Sequence, residues 1–385
     1  MKKVAIIGAG ISGLFFANLL RQNSNYETTI YEKNNSINLE KGYGIQLSTN
    51  SIKLLNKIGF QNLNLADQFN PKKINFYSLL KKNKICDLDI SSFNTEEAKY
   101  TTMQRSILVE FLKEKLPSNL MQYNKIVSQI NSTTENIELT FEDQSSARCD
   151  YLVVSDGIFS STKSLILNRD IKPKYFKSIA IRGTINKEDL NSIDCSNISL
   201  FLGSNFHSVI YPVNKDNKLN FIGILRKNLS EDQLEDYSLF DDKNFLSSIL
   251  SNLSNQIDQN ILNNLKNIKC FPIFASEKVY KPKQKNIFFI GDAFFTFLPT
   301  FAQGASQSIE AAFELYESLK NGSNKFTSQR IKRTKMINKR SKFNYFVFHL
   351  SNPFMTYIRD LLMKNLVKNK KFTDNYLRKI YKVNY

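Results

Sequence analysis

The first 32 residues constrain the fold more than any other part of this sequence. An apolar run at residues 4–7 leads directly into glycines at positions 8, 10 and 13, and a helix-like stretch follows at residues 14–21. A second β-rich run at residues 28–31 ends on Glu32. A strand, a glycine-rich turn, a helix, a second strand and an acidic residue in this order are typical of a βαβ unit that binds a dinucleotide.

Each glycine of this motif has its own physical role. Gly8 permits a tight turn after the strand, Gly10 lets a pyrophosphate approach the backbone, and Gly13 lets the helix pack closely on the strand. The helix N terminus offers free N–H groups and a positive dipole to phosphates, and Glu32 can accept hydrogen bonds from ribose hydroxyls. The motif therefore predicts a bound adenine dinucleotide. A secretory signal is the competing interpretation of the basic, apolar N terminus, but no small-residue cleavage site follows Leu20.

Length and composition exclude several classes of protein. With 385 residues the chain is long enough for two or three domains and a large core. Its four cysteines lie far apart without a CxxC pair, which predicts reduced thiols in a cytosolic protein and excludes a dithiol reductase of the usual kind. The two histidines do not suffice for a histidine-rich metal site, so we predict no metal. No stretch has the ~18 apolar residues of a membrane-spanning helix.

The positive charge is concentrated at the C-terminal end. Residues 320–385 contain seventeen Lys or Arg and two acidic residues, a net charge of +15 out of +18 for the whole chain. Such a region can contact an anionic membrane or a nucleic acid. A solvated helical face in a chain rich in Lys and Asn is the simpler interpretation, and we favour it. We therefore predict no nucleic-acid partner and at most a weak peripheral membrane contact through the basic C terminus.

The pattern of apolar residues predicts an α/β fold in which the nucleotide-binding domain is interrupted. Strand-like runs that resemble the first strand return at residues 150–155 and 287–290, and a long helix follows Gly304. Short β runs at residues 179–185, 198–202, 208–213 and 219–225 suggest a separate antiparallel sheet, with a hairpin loop at residues 214–217. Residues 230–268 are mostly helical in pattern.

These patterns give domain boundaries. We assign residues 1–71, 100–171 and 273–320 to the nucleotide-binding domain, and residues 72–99 and 172–272 to a substrate domain built on the antiparallel sheet. Residues 321–385 form a basic, helical C-terminal region. Chain segments that are distant in sequence therefore belong to the same domain.

Several further segments carry motif residues in a fixed order. They are residues 42–50, the pair Gln104 and Arg105, residues 156–163 starting with Asp156 and Gly157, and residues 291–305 with Gly291, Asp292, Pro299, Gly304 and Ala305. The series resembles the flavoprotein aromatic hydroxylases of the p-hydroxybenzoate hydroxylase fold. It is most similar to their single-component salicylate and 3-hydroxybenzoate hydroxylase-like members. The resemblance covers roughly residues 1–360, and motifs in the expected context make it specific.

The resemblance implies a Rossmann-like FAD-binding domain interleaved with an antiparallel-sheet substrate domain and followed by C-terminal helices. Arg105 would contact the flavin cofactor, Asp292 would hold its ribityl–phosphate end, and the backbone N–H groups of Gly304 and Ala305 would face the isoalloxazine ring. The residues expected to bind FAD are Gly8, Gly10, Gly13, Glu32, Lys33, Arg105, Val127, Asp156, Asp292, Gly304 and Ala305.

The activity that the resemblance implies is monooxygenation of an aromatic ring. NAD(P)H would reduce FAD, O2 would add to give a flavin C4a-hydroperoxide, and its distal oxygen would pass to a phenolic or hydroxybenzoate-like substrate. The chain has no second GxGxxG unit, so NAD(P)H would approach transiently, as in this family. The expected partners are a small aromatic substrate and O2, and the expected protein is a cytoplasmic monomer or homodimer.

The sequence departs from the family pattern at three motifs, in one of which Thr49 stands where the family usually has proline. Phe294 and Phe295 stand where the family has Ala-His, and Lys163 stands where it has an arginine, whose bidentate phosphate contact a lysine cannot reproduce. With Phe297 and Phe301, the two phenylalanines make this turn rich in rings. These rings either pack in the core, as aromatic side chains commonly do, or line an apolar substrate pocket.

One strand carries the candidate catalytic residues. At the two-residue period of a strand, His207, Val209 and Tyr211 share one face, which suits a pocket for a hydroxylated aromatic ring. The resemblance supports His207 as general base and Tyr211 as an orienting group. Gln46 stands where some relatives place a histidine base and is expected to orient the substrate. Arg182 matches a family arginine that pairs with an anion or caps the sheet edge. The alternative is an ordinary sheet with a buried tyrosine and a hydrogen-bonded histidine.

Three other functions remain compatible with the sequence. One is a flavin oxidase or dehydrogenase that does not insert oxygen, because FAD motifs do not specify what reoxidises the flavin. Another is a flavin-binding protein without catalytic activity. The third is a membrane-peripheral hydroxylase of a lipophilic quinone precursor, with the basic, aromatic-rich C-terminal helices in contact with the membrane.

Overall fold

The computed structural model describes residues 1–37, 43–133, 136–190, 193–214 and 217–381, and it confirms the predicted α/β architecture. The strands are β1 (Lys2–Ile7), β2 (Tyr26–Tyr31), β3 (Gly44–Leu47), β4 (Gln68–Phe69), β5 (Lys73–Ser78), β6 (Asn83–Asp89), β7 (Thr101–Gln104), β8 (Met121–Gln122), β9 (Val127–Ser132), β10 (Ile137–Phe141), β11 (Ser146–Cys149), β12 (Tyr151–Val154), β13 (Lys174–Asn186), β14 (Ile198–Leu202), β15 (Phe206–Pro212), β16 (Lys218–Arg226), β17 (Lys266–Ala275) and β18 (Ile287–Phe289). The helices are α1 (Ile11–Arg21), α2 (Thr49–Asn56), α3 (Arg105–Glu114), α4 (Ser161–Leu167), α5 (Glu231–Glu235), α6 (Lys243–Leu253), α7 (Gln259–Asn263), α8 (Gly291–Phe294), α9 (Gly304–Lys320), α10 (Phe326–Phe348), α11 (Pro353–Lys368) and α12 (Lys370–Tyr381).

A parallel sheet with the strand order β18-β12-β1-β2-β8 forms the first layer. Strand β1 lies at its centre, where Val4 pairs with Thr28 of β2 and with Tyr151 of β12. Its four apolar residues are buried because helices and a small sheet cover both faces, as is usual for parallel sheets. On one face, α1 packs against α9, so the long helix that follows Gly304 returns to the first βαβ unit.

A seven-stranded sheet with the order β17-β13-β16-β15-β14-β5-β6 forms the second layer. Its strands come from residues 73–89 and 174–275, and they pair antiparallel except for β14 and β5. One face carries a hydrophobic core that includes Phe206 and Phe221 and is covered by α6 and α7. The opposite face, which bears His207 and Tyr211 on β15, is turned toward the nucleotide-binding layer and the C-terminal helices.

Two three-stranded sheets complete the β structure of the described residues. The order β3-β7-β4 places Gln46 beside Thr102, between the two large sheets. The order β11-β10-β9 covers the other face of the parallel sheet through Leu139 and Phe141.

Sequence patterns located these elements closely. The bounds of β14 agree with the expected run at residues 198–202. Helix α1 begins at Ile11, three residues before the expected start, because the glycine turn leads directly into the first helical turn. The expected hairpin loop at residues 214–217 lies partly outside the described residues. All four cysteines are free thiols.

Candidate active site

The glycine turn of the βαβ unit has the geometry of a nucleotide cradle. Gly8 has φ +98°, and a Cβ on Gly8 would lie 2.8 Å from the Asp156 backbone. A Cβ on Gly13 would lie 2.2 Å from the Gly8 carbonyl oxygen, so close packing of the chain itself requires both glycines. Gly10 differs from them, because a Cβ there would meet no protein atom within 4 Å. The open side of this turn is therefore the side available to a ligand.

Glu32 sits at the end of β2 beside this turn. One of its carboxylate oxygens accepts the backbone N–H of Ala9 at 2.9 Å, and the other accepts the side chain of Asn34 at 2.8 Å. The carboxylate is thus held firmly at the edge of the cradle, with lone pairs left for ribose hydroxyls. Lys33, the next residue, is exposed, and Val127 is buried at the start of β9.

Asp156 follows β12 and carries an unsatisfied polar atom. Its Oδ1 is buried without a hydrogen-bond partner among the described residues, and burial raises the pKa of its carboxyl group above the usual range. Gly157, with φ +88°, turns the chain directly after it. An orphaned buried acceptor costs free energy unless a ligand or water satisfies it, so Asp156 points to a missing hydrogen-bond donor.

Lys163 does not face outward toward a phosphate. Its side chain is buried, its Nζ donates to the Ala293 carbonyl oxygen at 3.1 Å, and burial lowers the pKa of its ammonium group. The lysine therefore links α4 to the turn that carries Asp292. A lysine in place of the family arginine has a structural role here.

Asp292 lies in the turn after β18, next to the cradle. Burial raises the pKa of its carboxyl group to about 6, although the positive charges of Arg105 and Lys163 oppose the shift. Gly291, with φ +60°, packs so tightly that a Cβ would lie 2.4 Å from the Ser12 hydroxyl of α1. This contact brings the turn against the first βαβ unit.

The N terminus of α9 is the second open position. A Cβ on Gly304 would meet no protein atom within 4 Å, and Ala305 follows it at the start of the helix. The structure thus provides open glycines at two helix N termini, the unsatisfied Oδ1 of Asp156, and Arg105 near Asp292. This set of groups fits an extended dinucleotide that approaches both open glycines.

A cavity of about 420 Å³ adjoins Gly304 and Asp292. It lies between the seven-stranded sheet, the turn at residues 296–305 and the three C-terminal helices. The structure brings together all three residues predicted to act on the substrate, Gln46, His207 and Tyr211, in the lining of this one cavity. The lining is predominantly apolar, with few polar groups, as is typical of small-molecule sites.

Polar groups cluster at the end of the cavity next to the nucleotide cradle. The Tyr100 hydroxyl donates to Gln46 Oε1 at 2.7 Å, and the Gln46 side chain also hydrogen-bonds the Tyr211 phenol. Burial raises the pKa of Tyr211, although the nearby Arg182 opposes the shift. Tyr211 packs on Gly44, where a Cβ would lie 2.8 Å from its ring. The phenols of Tyr100 and Tyr211, the Gln46 amide and the Arg182 guanidinium thus line this end of the cavity.

Arg182 belongs to this polar end. It lies on β13, which is an inner strand of its sheet, so it does not cap a sheet edge. Its guanidinium stacks on the Tyr43 ring at 5.5 Å and lines the cavity. A cation in an apolar cavity favours an anionic group on whatever binds there.

His207 lies at the opposite end, against the second histidine. Its Nδ1 is 3.2 Å from Nε2 of His349, whose Nδ1 lies 2.7 Å from the Tyr345 carbonyl oxygen. Burial, aided by His349, lowers the pKa of His207 well below its usual value, and burial lowers the pKa of His349 to about 4. Both rings are therefore neutral at neutral pH. This weakens His207 as a proton acceptor.

The phenylalanines near Asp292 divide between the two roles expected for them. Phe294 and Phe295 are buried in the core beside the parallel sheet. Phe297 and Phe301 line the cavity instead. Packing in the core therefore describes Phe294 and Phe295, and lining of an apolar pocket describes Phe297 and Phe301.

Sequence reasoning missed two residues that line the cavity, Tyr100 and Tyr381, and also His349, which contacts His207 from outside the lining. Tyr100, His349 and Tyr381 all contact the predicted residues or one another, and the Tyr100 and Tyr381 rings lie 5.7 Å apart. Tyr100 precedes a strand that pairs with β3, and Tyr381 ends the last helix. The sequence did contain one signal for the side of the cavity formed by α12. Phe372 and Tyr376 are four residues apart, and this spacing places both rings on one face of the helix.

Comparison with known proteins gives a family and several relatives. A family model described as "FAD binding domain" matches residues 1–329. A 3-amino-4-hydroxybenzoate 2-monooxygenase of Streptomyces platensis is 23% identical over 377 residues, which cover 94% of this chain and 92% of that protein. A salicylate hydroxylase of Pseudomonas putida is 24% identical over 235 residues, covering 57% of this chain and 53% of that protein.

Solved structures show the same fold. HpxO of Klebsiella pneumoniae, in complex with FAD and uric acid, superposes with a TM-score of 0.82 at 17% identity, covering 98% of this chain and 97% of that one. A salicylate hydroxylase in a substrate complex superposes with a TM-score of 0.80 at 18% identity, covering 100% of this chain and 96% of that one.

Proposed function

The chain belongs to the family of proteins with this FAD-binding domain, and from that premise we propose that it is a monooxygenase that hydroxylates a phenolic ring with NAD(P)H and O2. Its relatives are named aromatic monooxygenases, and the chain is an oxidoreductase of that group. In the proposed reaction one atom of O2 enters the ring and the other leaves as water, while NAD(P)H supplies two electrons. We expect this reaction to take place in the cytoplasm.

One observation carries the proposal: the polar end of the cavity directly adjoins the open position at Gly304 and Asp292. A ring bound there would rest between the place expected for the flavin and the hydrogen-bonding groups of Gln46, Tyr100 and Tyr211. Hydride acceptance from NAD(P)H and activation of O2 would be supplied by bound FAD.

The protein's own residues then have separate tasks. Gly10, Glu32, Asp156 and Asp292 hold the cofactor, with Oδ1 of Asp156 gaining the hydrogen-bond donor that it lacks. The guanidinium of Arg182 favours a phenolate or carboxylate on the substrate, because a cation nearby stabilises the ionised form. An electron-rich phenolate is the form of the ring that accepts an electrophilic oxygen.

Tyr211 keeps the orienting role predicted from the sequence, whereas His207 receives a different one. The two residues are four apart on β15, so their Cα atoms are roughly 13 Å apart at the rise of a strand. A single ring beside Tyr211 therefore does not reach the histidine. We propose that His207, neutral and paired with His349, contacts the distal part of a longer substrate and does not remove the phenolic proton.

The proposed function is tested by anaerobic reduction of the flavin by NADH and by NADPH, with and without a panel of hydroxybenzoates and their alkylated derivatives. We expect a matching ligand to accelerate reduction at least about tenfold, and isotopically labelled O2 to leave one labelled atom in the product. Rapid reduction without ligand, with no label in any product, would identify an oxidase or dehydrogenase.

Two variants separate the ends of the cavity in the same assay. Tyr211→Phe should slow ligand-stimulated reduction and turnover of every substrate, because it removes a hydrogen bond at the ring. His207→Ala should leave FAD bound and should lower turnover only of substrates with a distal extension. If His207→Ala abolishes turnover of the shortest hydroxybenzoate as well, the histidine acts on the ring as first predicted from the sequence.

A further inference from the structure

Helix α11 differs from a typical surface helix of a water-soluble protein, because it buries an ion pair and exposes several large apolar side chains. Its buried residues are Thr356, Arg359 and Asp360, and the last two form an ion pair at 2.8 Å. Its exposed side carries large apolar residues, with fractional exposures of Phe354 69%, Met355 41%, Tyr357 56%, Leu361 49%, Leu362 53% and Leu366 41%. A surface helix normally buries its apolar stripe and exposes its charges. The outward face of α11 therefore fits an apolar environment.

The neighbouring helix ends extend this apolar surface. Phe343 and Phe346 near the end of α10 are 62% and 55% exposed, and Phe372 near the start of α12 is 44% exposed. We call these three residues together with the exposed side of α11 the apolar face. Monomeric proteins rarely expose many large apolar side chains on adjoining helices unless that surface binds a partner or a membrane.

Exposed basic residues lie on the same helices as the apolar face. Lys342, Lys364, Lys368, Lys370 and Lys371 are all exposed on the same three helices. Acidic residues do not balance them, because residues 320–385 contain only Asp360 and Asp374, and Asp360 is buried against Arg359. An apolar helix surface flanked by lysines complements the acyl chains and the anionic headgroups of a lipid bilayer.

The apolar face is continuous with the mouth of the cavity. Phe343, Leu366 and Phe372 line the cavity and yet remain 62%, 41% and 44% exposed, so they form its rim. From this rim, α12 runs along the cavity to Tyr381, whose ring lies 5.7 Å from that of Tyr100 at the polar end. A molecule that enters between the exposed side chains thus passes directly to the proposed ring-binding end.

We propose that the apolar face docks the protein on the surface of an anionic lipid bilayer and that the aromatic substrate enters the cavity from the lipid. The docking follows from the surface alone, whereas the entry of substrate rests on the function proposed above. The substrate class is then an anionic or phenolic ring with an apolar extension long enough to pass His207. No helix among the described residues has the length and apolar character needed to cross a bilayer.

Docking is tested by sedimentation of the FAD-loaded protein with vesicles of phosphatidylcholine alone and of phosphatidylcholine mixed with phosphatidylglycerol. We expect binding to the anionic vesicles at low salt and weaker binding at high salt. The double variant Leu361→Ser with Leu362→Ser should lower the partition coefficient by about tenfold or more. Neither leucine lines the cavity, so flavin content and the melting temperature should not change. Leu65→Ser, which removes an equally exposed leucine from the nucleotide-binding layer, is the matched control and should bind as the wild type does.

The outcomes distinguish docking from catalysis. Absence of binding to anionic vesicles at low salt overturns the proposal. So does a dimer in analytical ultracentrifugation that the double variant dissociates, since a second copy would then cover the apolar face. If docking holds, the double variant should lose turnover of a long-chain alkyl hydroxybenzoate embedded in vesicles but keep turnover of a short, water-soluble one. Vesicle binding without turnover of either substrate would overturn the proposed function and leave the docking intact.

Discussion

The two histidines of this chain show how burial sets the chemistry of a single residue. His207 and His349 face each other at 3.2 Å, and both are almost fully buried. Burial disfavours the charged imidazolium, so the pKa of His349 falls to about 4 and the pKa of His207 falls well below its usual range. In an unfolded chain each histidine binds a proton near pH 6.5, as model peptides do.

Acidification should therefore destabilise the protein through this pair. Because the folded pKa of His349 is depressed, its stabilising contribution is complete above pH 6.5 and is lost as the pH falls toward 4. For His349 alone, the pKa difference between 6.5 and about 4 corresponds to a loss of about 3 kcal/mol by pH 4, at 1.36 kcal/mol per pKa unit. His349→Gln abolishes it. The difference in free energy of unfolding between variant and wild type, measured by urea titration, should rise in favour of the variant as the pH falls from 6.5 to 4.

Taking the difference between the two proteins removes the contribution of other groups. This matters because Asp292 acts in the opposite direction, since its raised pKa makes the folded state weaker as the pH rises from about 4 to about 6. A difference that stays constant over this pH range would mean that His349 is accessible to protons in the folded protein.

At the scale of elements, the glycines in the turn between β1 and α1 differ in whether the packing of the chain leaves room for a side chain. Gly13 is required by the chain itself, since a Cβ there would collide with the Gly8 carbonyl oxygen at 2.2 Å. Gly10 has backbone angles that any residue adopts, φ −81° and ψ −177°, and open space around it. The same motif thus contains two glycines that the packing of the chain requires, Gly8 and Gly13, and one, Gly10, whose open side is free for a ligand.

Alanine at position 10 should affect FAD binding, whereas alanine at position 13 should affect the stability of the fold. Gly10→Ala should leave the free energy of unfolding of the FAD-free protein within about 0.5 kcal/mol of wild type, yet it should weaken FAD binding, because the methyl group occupies the approach of the pyrophosphate. Gly13→Ala should lower the free energy of unfolding itself, by about 1–3 kcal/mol as expected for overpacking. Flavin fluorescence titration and urea unfolding measure the two effects. Wild-type FAD affinity in Gly10→Ala would place the cofactor elsewhere.

Elements of this kind were predictable because their signals are local. The strand Ile198–Leu202 and the turn at Gly8 are specified by adjacent residues, and the face shared by His207 and Tyr211 follows from the strand period alone. The neutral state of His207 was not predictable, because it depends on His349, which is 142 residues away in sequence. Likewise, the number of lysines near the C terminus revealed the charge of α11 but not that its apolar side faces outward.

On the scale of the whole molecule, the C-terminal helices are part of the site and not an appendage. The family match ends at residue 329, yet residues of α10, α11 and α12 line one side of the cavity and form its rim. Arg333 of α10 donates hydrogen bonds to the carbonyl oxygens of Lys379 and Ile380, which fixes the end of α12. Such contacts between distant segments have no signature in a single sequence.

A buried carboxylate connects these helices to the nucleotide-binding layer. Glu310 of α9 is fully buried and accepts hydrogen bonds from Arg330 at 2.9 Å, from Arg333 at 2.6 Å and from Asn50 of α2 at 2.8 Å. Burial alone would raise the pKa of Glu310, but the two arginines outweigh it and hold the pKa below the usual range. One side chain thus links α2, α9, α10 and, through Arg333, α12.

Glu310→Gln should therefore weaken the molecule as a whole. The substitution keeps the shape of the side chain but removes the counter-charge of the partly buried Arg333 and leaves the buried Arg330 with Glu314 as its carboxylate partner. Removing one partner of a buried ion pair costs about 3–5 kcal/mol. Urea unfolding should show this loss, and limited proteolysis should cleave α12 faster than in wild type, because Arg333 no longer has a fixed position. Glu317→Gln on the same helix removes a carboxylate that hydrogen-bonds only Asn321 among the described residues, and it should stay within about 0.5 kcal/mol of wild type. Equal stability of the two variants would show that the cluster does not hold the C-terminal helices against the nucleotide-binding layer.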